Sequence, residues 1–335
     1  MSLRAGPANP PGLRKSGVAY CVLTGLLLAL ALPAAEPARE LIRDPHFQNG
    51  FILLKPQPGR RVVYGELTVA GAAAPPVWDL CQWSSKFPLS PGTAGSASEG
   101  RFCFTNSAKR VCRGAAGGGG AELALGVDAG VEYGDHARAS VNDPWVHLLV
   151  QQDLESPPAL TDLSACTFHV EARLAHSRLV RRQDYDPGLH AAQYVIYLTV
   201  ANRNAASPGF GQYYWFGIPL YDNRERIVPM YQAQDFGDTK MFINTVSSAV
   251  FTQESTHDGQ WVTYDRDLLP LLRAGLAAGW QRGYMAGSHH EADYRITAIV
   301  IGWEVPGVFD VELQIRRLSL RAAMTAATPS EHVHK

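Results

Sequence analysis

From residue 61 onward the chain is dominated by short runs in which apolar and polar positions alternate. Residues 61–69 and 145–151 alternate with period two. Residues 167–175, 193–200, 212–218, 296–303 and 308–320 are rich in Val, Ile, Tyr, Phe and Trp between turn residues. Period two is the repeat of a pleated strand, and branched and aromatic side chains suit its half-buried surface. Many short strands punctuated by Gly and Pro predict a sandwich or a barrel. Residues 43–51 read as a turn entering the first strand. One helix is expected where Asp265 or Asp267 precedes Leu268, Leu269, Leu271, Leu272, Leu276 and Trp280, with Pro270 in the first turn and Gly279 and Gly283 near the end. Residues 90–121, crowded with Gly, Ala and Ser, read as a long loop or insertion, and residues 323–335 as a mobile tail.

The same alternation sorts side chains onto faces, because residues two apart in a strand point the same way. Phe168, Val170, Ala172 and Leu174 form an apolar face, and Thr167, His169, Glu171 and Arg173 form the polar face behind it. Trp145, His147, Leu149 and Gln151 share a second face, and Gln193, Val195, Tyr197 and Thr199 a third. Laid side by side in one sheet, these strands bring together imidazoles, a carboxylate, a guanidinium, amides and a phenol. Such an inventory suits sugars, whose hydroxyls need donors and acceptors and whose C–H faces stack on rings. Trp78, Trp83, Trp215 and Trp303 are the candidate stacking platforms; the bland alternative is that tryptophans fill the core and that the His169–Glu171–Arg173 run is a solvated sheet face.

Two chemistries fit those residue types. A glycosidase needs two carboxylates flanking the scissile bond, Glu171 with Glu304 or Glu312. A uronate lyase needs a cation or amide against the sugar carboxylate and a Tyr and His to move the proton: Arg173, Gln193, Tyr197, and His147 or His169. No Gly-x-Ser-x-Gly or His-Glu-x-x-His motif occurs, and His289-His290-Glu291 reads as a surface loop rather than a metal site. No cofactor is required. A structural calcium is expected if Asp44 and Asp310 become neighbours through pairing of the terminal strands.

Composition narrows the partners. Thirty Lys and Arg against thirty-one Asp and Glu give a net charge of −1. The basic residues are not bunched, so no stripe points to nucleic acid. Arg4, Arg14 and Lys15 precede an uncharged apolar run over residues 16–32, followed by the small residues Ala34 and Ala35: the order of a secretory signal peptide over residues 1–35. The alternative is an uncleaved N-terminal anchor; with cleavage no membrane span remains. Cleavage removes Cys21 and leaves Cys81, Cys103, Cys112 and Cys166 of the five cysteines. In an oxidising compartment the expected pairs are Cys103 with Cys112 and Cys81 with Cys166, the alternative being buried free thiols.

Three segments carry a family resemblance: Trp215-Phe216-Gly217-Ile218-Pro219-Leu220-Tyr221-Asp222; Asp258-Gly259-Gln260-Trp261 with Asp267-Leu268; and Ile301-Gly302-Trp303-Glu304-Val305-Pro306-Gly307-Val308-Phe309-Asp310-Val311. In rhythm they resemble secreted jelly-roll modules of carbohydrate-binding and polysaccharide-degrading proteins, and His169-Val170-Glu171-Ala172-Arg173 is similar to jelly-roll alginate lyases. The resemblance implies an all-β jelly-roll sandwich, concanavalin-like or galactose-binding-like, with one or two short helices and a concave glycan groove. The expectation is therefore one secreted domain over residues 36–322 that binds a polysaccharide or oligosaccharide through His147, Gln151, Gln193, Trp215, Trp303 and Glu304. A glycoside hydrolase or lyase using Glu171, His169, Tyr197 and Arg173 is the alternative, and a non-catalytic cell-surface structural domain is the third.

Overall fold

A computed structural model describes residues 38–326, apart from 60, 99, 181, 182, 184 and 236–238. The expected signal segment, with Cys21, and the tail from residue 327 lie outside the described residues. The first strands are β1 (Arg39–Glu40), β2 (Phe51–Leu54), β3 (Val63–Leu67), β4 (Trp78–Cys81), β5 (Gly95–Ser98), β6 (Arg101–Thr105), β7 (Lys109–Arg113) and β8 (Leu123–Asp128). Helix α1 (Ala129–Tyr133) follows, then β9 (Val146–Asp153), β10 (Leu163–Leu179), β11 (Gln193–Asn202), β12 (Tyr213–Asp222), β13 (Tyr231–Gln234) and β14 (Phe242–Thr245). The chain ends with β15 (Val262–Asp267), α2 (Leu269–Gln281), β16 (Tyr294–Val305) and β17 (Phe309–Met324).

These strands form a jelly-roll β-sandwich. Sheet A runs β15-β10-β17-β8-β7-β6-β5, with β1 added to β17; sheet B runs β13-β14-β12-β11-β16-β9-β4-β2-β3. The inward faces are those the alternation predicts: Phe168, Val170, Ala172 and Leu174 from β10, and Tyr194, Ile196, Leu198 and Val200 from β11, share one core. Each large apolar side chain fully withdrawn from water contributes roughly 1.5–3 kcal/mol. Trp303 lies in this layer with no exposure, edge-on to Tyr194 and Tyr221, and its indole N–H donates to Leu125 O at 2.8 Å, tying sheet B to sheet A. Trp78 is equally buried against Phe47 and donates to Asp44 O. Both are therefore core residues, not stacking platforms; Trp303 shares its face with Ile299, Ile301 and Val305.

Helix α2 forms where expected. Asp267 Oδ1 accepts the Leu269 N–H, Pro270 falls in the first turn, and Gly283 at φ +82° closes the end while Tyr284 N–H returns to Gly279 O. The segment 90–121 departs from its reading as a loop, for it holds β5, β6 and β7. Its small residues make room for rings: a Cβ on Gly95 would stand 2.2 Å from Phe102 on the paired strand. The glycine-rich stretch between β7 and β8 does form a loop. At the C-terminal end, strand β17 extends two residues into the stretch expected as a tail.

The cysteine expectation divides. Cys103 and Cys112, opposite each other on β6 and β7, form a disulfide. Cys81 and Cys166 do not pair: Cys81 lies on the outward face of sheet B, among Leu54, Leu149 and Val300, and Cys166 lies on β10 in the core between the sheets.

Candidate functional site

The three polar faces predicted from alternation fall on two different sheets. Thr167, His169, Glu171 and Arg173 stand on the outer face of sheet A, whereas the faces of β9 and β11 stand on the outer face of sheet B. Glu171, His169 and Arg173 thus lie apart from Tyr197, separated by the whole core.

On sheet B the register sets three rows across β11, β16 and β9: Gln193, Glu304 and His147; Val195, Gly302 and Leu149; Tyr197, Val300 and Gln151. The faces of β4 and β12 extend the rows, placing Cys81 beside Leu149, Asp79 beside Gln151 and Gly217 beside Tyr197. Side chains on the outer face of a flat sheet would be open to water, yet here Leu54, Cys81, Leu149 and Val300 are buried against one another. Trp83, Tyr197 and Trp215 pack around them and wall a trough on this face, and register shifts in β11 against β12 and against β16 supply bends of the kind β-bulges produce. Two glycines make the floor. Gly302 adopts φ +145°, and a Cβ there would meet Leu148 O at 2.3 Å; a Cβ on Gly217 would meet Thr245 Oγ1 at 2.3 Å. The middle row is bare at Gly302, and the Glu304 charge acts on the Tyr197 hydroxyl.

Glu304 is the chemically distinctive group of the trough. Burial raises its pKa to about 7; the nearby Trp145 indole N–H works against that shift and the charge of Asp235 adds to it. Trp145 Nε1 is buried and makes no hydrogen bond of ordinary length, so this donor only partly compensates the carboxyl. Burial lowers the pKa of His147 to about 4, so its ring is neutral, with Nδ1–H donating to Trp145 O at 2.9 Å. Burial, with the Glu304 charge second, holds the Tyr197 hydroxyl protonated far above its ordinary range. Asp235 acts on all three of these groups. It is held in place where β13 turns toward β14: Trp215 Nε1 donates to Thr239 Oγ1 at 3.3 Å, and that hydroxyl donates to Asp235 Oδ2 at 2.5 Å. Aromatic rings line the trough, with Tyr197 and Tyr213 edge-on to Trp215 and with Trp83 and Trp145 on either side of His147. Polar pairs close it: Gln193 donates to Asp222, which Arg224 also binds, and Arg61 forks onto Asp79.

Of the residues proposed from sequence, the trough unites His147, Gln151, Gln193, Tyr197, Trp215 and Glu304. Asp235 was missed: it follows a four-residue strand without marked alternation, and nothing local distinguishes it from a turn aspartate. Trp145 was seen only as part of a face.

On sheet A, Glu171 is an anchored ion rather than a free acid. A register shift at Arg317, which has φ +56°, turns two consecutive guanidiniums toward it, Arg316 at 2.5 Å and Arg317 at 2.5 Å. Burial would raise its pKa, but the hydrogen bonds from both arginines prevail and hold it below the usual carboxylate range. His169 pairs with Asp265 at 2.7 Å near the surface. Glu312 is held by Arg101 and Arg110. The terminal strands do pair, but through Arg39 with Ala322 and Glu40 with Arg321, at the far end of β17 from Asp310. Asp310 is bound by His176 and Arg178, and Asp44 accepts the Gln48 and Asn49 N–H groups. No cluster of three or more candidate metal ligands occurs among the described residues. Of the His289-His290-Glu291 run, His289 packs on Trp280 and Glu291 pairs with Arg273.

No protein-family model and no curated protein sequence matches the chain. Solved structures similar to it include a thermostable cellulase derived from a Rhodothermus marinus enzyme, with 12% identity over 73% of this chain and 99% of that one, TM-score 0.38. A family 12 xyloglucanase from Bacillus licheniformis has 8% identity over 69% and 97%, TM-score 0.38. A family 11 xylanase from Neocallimastix patriciarum has 9% identity over 68% and 94%, TM-score 0.36. Likeness at this level carries no argument about chemistry, which rests on the trough itself. No helix among the described residues is long and apolar enough to cross a membrane.

Proposed function

We propose that this chain is an exported carbohydrate-binding protein that holds a polysaccharide or oligosaccharide in the trough of sheet B. The observation that carries the reading is the juxtaposition of half-buried aromatics, Trp83, Trp215 and Tyr213, with hydrogen-bonding groups of both kinds, Gln151, Gln193, Glu304 and Asp235, on the outer side of sheet B. Rings of this kind take the C–H faces of sugars, and the polar groups take the hydroxyls. The leader-like N-terminus and the Cys103–Cys112 disulfide support an oxidising, extracytoplasmic setting.

A second reading is favoured by one specific observation. Glu304, half-protonated near neutral pH, is suited to donate a proton to a leaving glycosidic oxygen, and Asp235 is a second carboxylate within electrostatic reach of it. The trough would then belong to a glycoside hydrolase. The lyase scheme loses its cation, since Arg173 is on the other sheet.

A glycan array on the protein without residues 1–35, run with reducing-end and unsaturated-product assays on the same polysaccharides, separates these readings. Trp215→Ala should weaken binding about tenfold, the loss of one stacking ring. If products form, Glu304→Gln should lower turnover by roughly 10²–10⁴ while leaving affinity within a few-fold. Binding without products removes the hydrolase; silence in every assay leaves a structural domain.

A further inference from the structure

We infer that the outer face of sheet A carries a second binding site, independent of the trough, that takes the carboxylate of a sugar-sized anion between Arg101 and Arg173 beneath the glycine-rich loop. A cavity of about 370 Å³ lies there, lined by these two arginines, Gln314 and the loop backbone at Gly114, Gly118 and Gly120. That volume is in the range of small-molecule sites.

The distribution of charge selects an anion. Five guanidiniums, those of Arg101, Arg110, Arg173, Arg316 and Arg317, surround this face, and the carboxylates among them are already engaged. Glu171 is taken by Arg316 and Arg317, and Glu312 by Arg101, Arg110 and the Gln314 amide. Glu122 is turned into the loop, where it accepts the Gly117 and Arg317 N–H groups and faces His46. Arg173 is bonded to a neutral group instead: its Nη2 donates to Gln314 Oε1 at 2.6 Å, while its Nε is buried and makes no hydrogen bond.

Geometry favours an anion that offers two oxygens side by side, a carboxylate being the planar case. The Arg173 guanidinium lies 5.1 Å from the centre of the Trp261 ring, on which Arg316 also stacks at 4.1 Å. Gln314 is itself oriented by giving its N–H to Glu312. A guanidinium fixed by a ring and an amide presents its remaining donors as a planar fork, which matches a carboxylate bidentately. The loop overhead is anchored through Gly119 O, which accepts from Arg316. Its positive-φ glycines, Gly117 and Gly119, let the backbone lie close over the cavity without side chains filling it.

Calorimetric titration of the disulfide-intact protein with glucuronate, glucose and inorganic sulfate tests this. Glucuronate should bind at least about tenfold more tightly than either. Arg173→Gln should remove that preference, and Arg173→Lys, which keeps the charge but not the fork, should not restore it, with thermal midpoints within a few degrees of the parent. Should the Arg173 variants fail to fold, Gln314→Met, which releases the fork, should give the same loss. Equal affinity for glucose, sulfate binding as tight as glucuronate, or unchanged binding in Arg173→Gln overturns the proposal. So does loss of glucuronate binding in Trp215→Ala with retention in Arg173→Gln, which would put the anion in the trough.

Discussion

Glu304 and Glu171 both stand on strands and point to outward sheet faces, yet their surroundings drive them in opposite directions. In the trough of sheet B, Glu304 is walled by an indole, a neutral imidazole and another acid, so burial prevails and its pKa rises to about 7. On sheet A, Glu171 is also buried, but two guanidiniums answer its charge and its pKa falls. Burial alone does not decide a carboxyl's state; the count of hydrogen-bond donors aimed at it does. An acid whose charge is already paired has its work done within the fold; one left short of donors keeps an unmet demand that a ligand hydroxyl can fill.

The sharpest way to break this contrast is to remove the paired acid. Glu171→Ala leaves Arg316 and Arg317 facing each other and should cost about 3–5 kcal/mol in urea unfolding, with glycan affinity in the trough unchanged. A loss below about 1 kcal/mol would show that the pair is solvated and that the faces do not differ as described.

Next in size is the pH response of Glu304. Because its folded pKa lies above the unfolded value, the folded state holds the proton more strongly. The stability this contributes is complete below about pH 4.5 and is lost as the pH rises through about 7. Glu304→Gln should therefore gain about 2–3 kcal/mol over the parent at pH 8 and little at pH 4.5. Equal gains at both pH values would show that Glu304 titrates like a surface acid.

The smallest expected effect sharpens the picture from the other side. His169 is part-exposed and pairs only with surface Asp265. His169→Ala should change stability by no more than about 0.5 kcal/mol and leave any turnover untouched.

What was legible in the sequence followed from periodicity. Period two in residues 167–174, 193–200 and 296–303 gave the strands, in the first two it told inner from outer face, and the Asp267, Pro270 and Gly283 signals framed α2. The same rule would have put Trp303 inside, since Ile299 and Ile301 share its face; the pull of an aromatic next to Glu304 hid it. Alternation states which side chains share a face of one strand. It cannot say which strands share a sheet, and so His169, Glu171 and Arg173 were grouped with Tyr197 when the core lies between them. The strands at 95–113 were hidden for a different reason: Phe102 and Phe104 demand small neighbours, and small residues read as loop. Asp235 gave no signal because its position depends on a turn meeting a strand far along the chain.

The two unpaired cysteines among the described residues give the molecule an internal clock. Burial raises both thiols, Cys166 to about 12 and Cys81 further still, so neither presents a thiolate at neutral pH while folded. Alkylation can reach them only through openings of the native state, and they sit in separate places, Cys81 in the trough floor and Cys166 behind sheet A. Their relative labelling rates would time the loosening of one layer against the other, with no probe introduced and no side chain replaced.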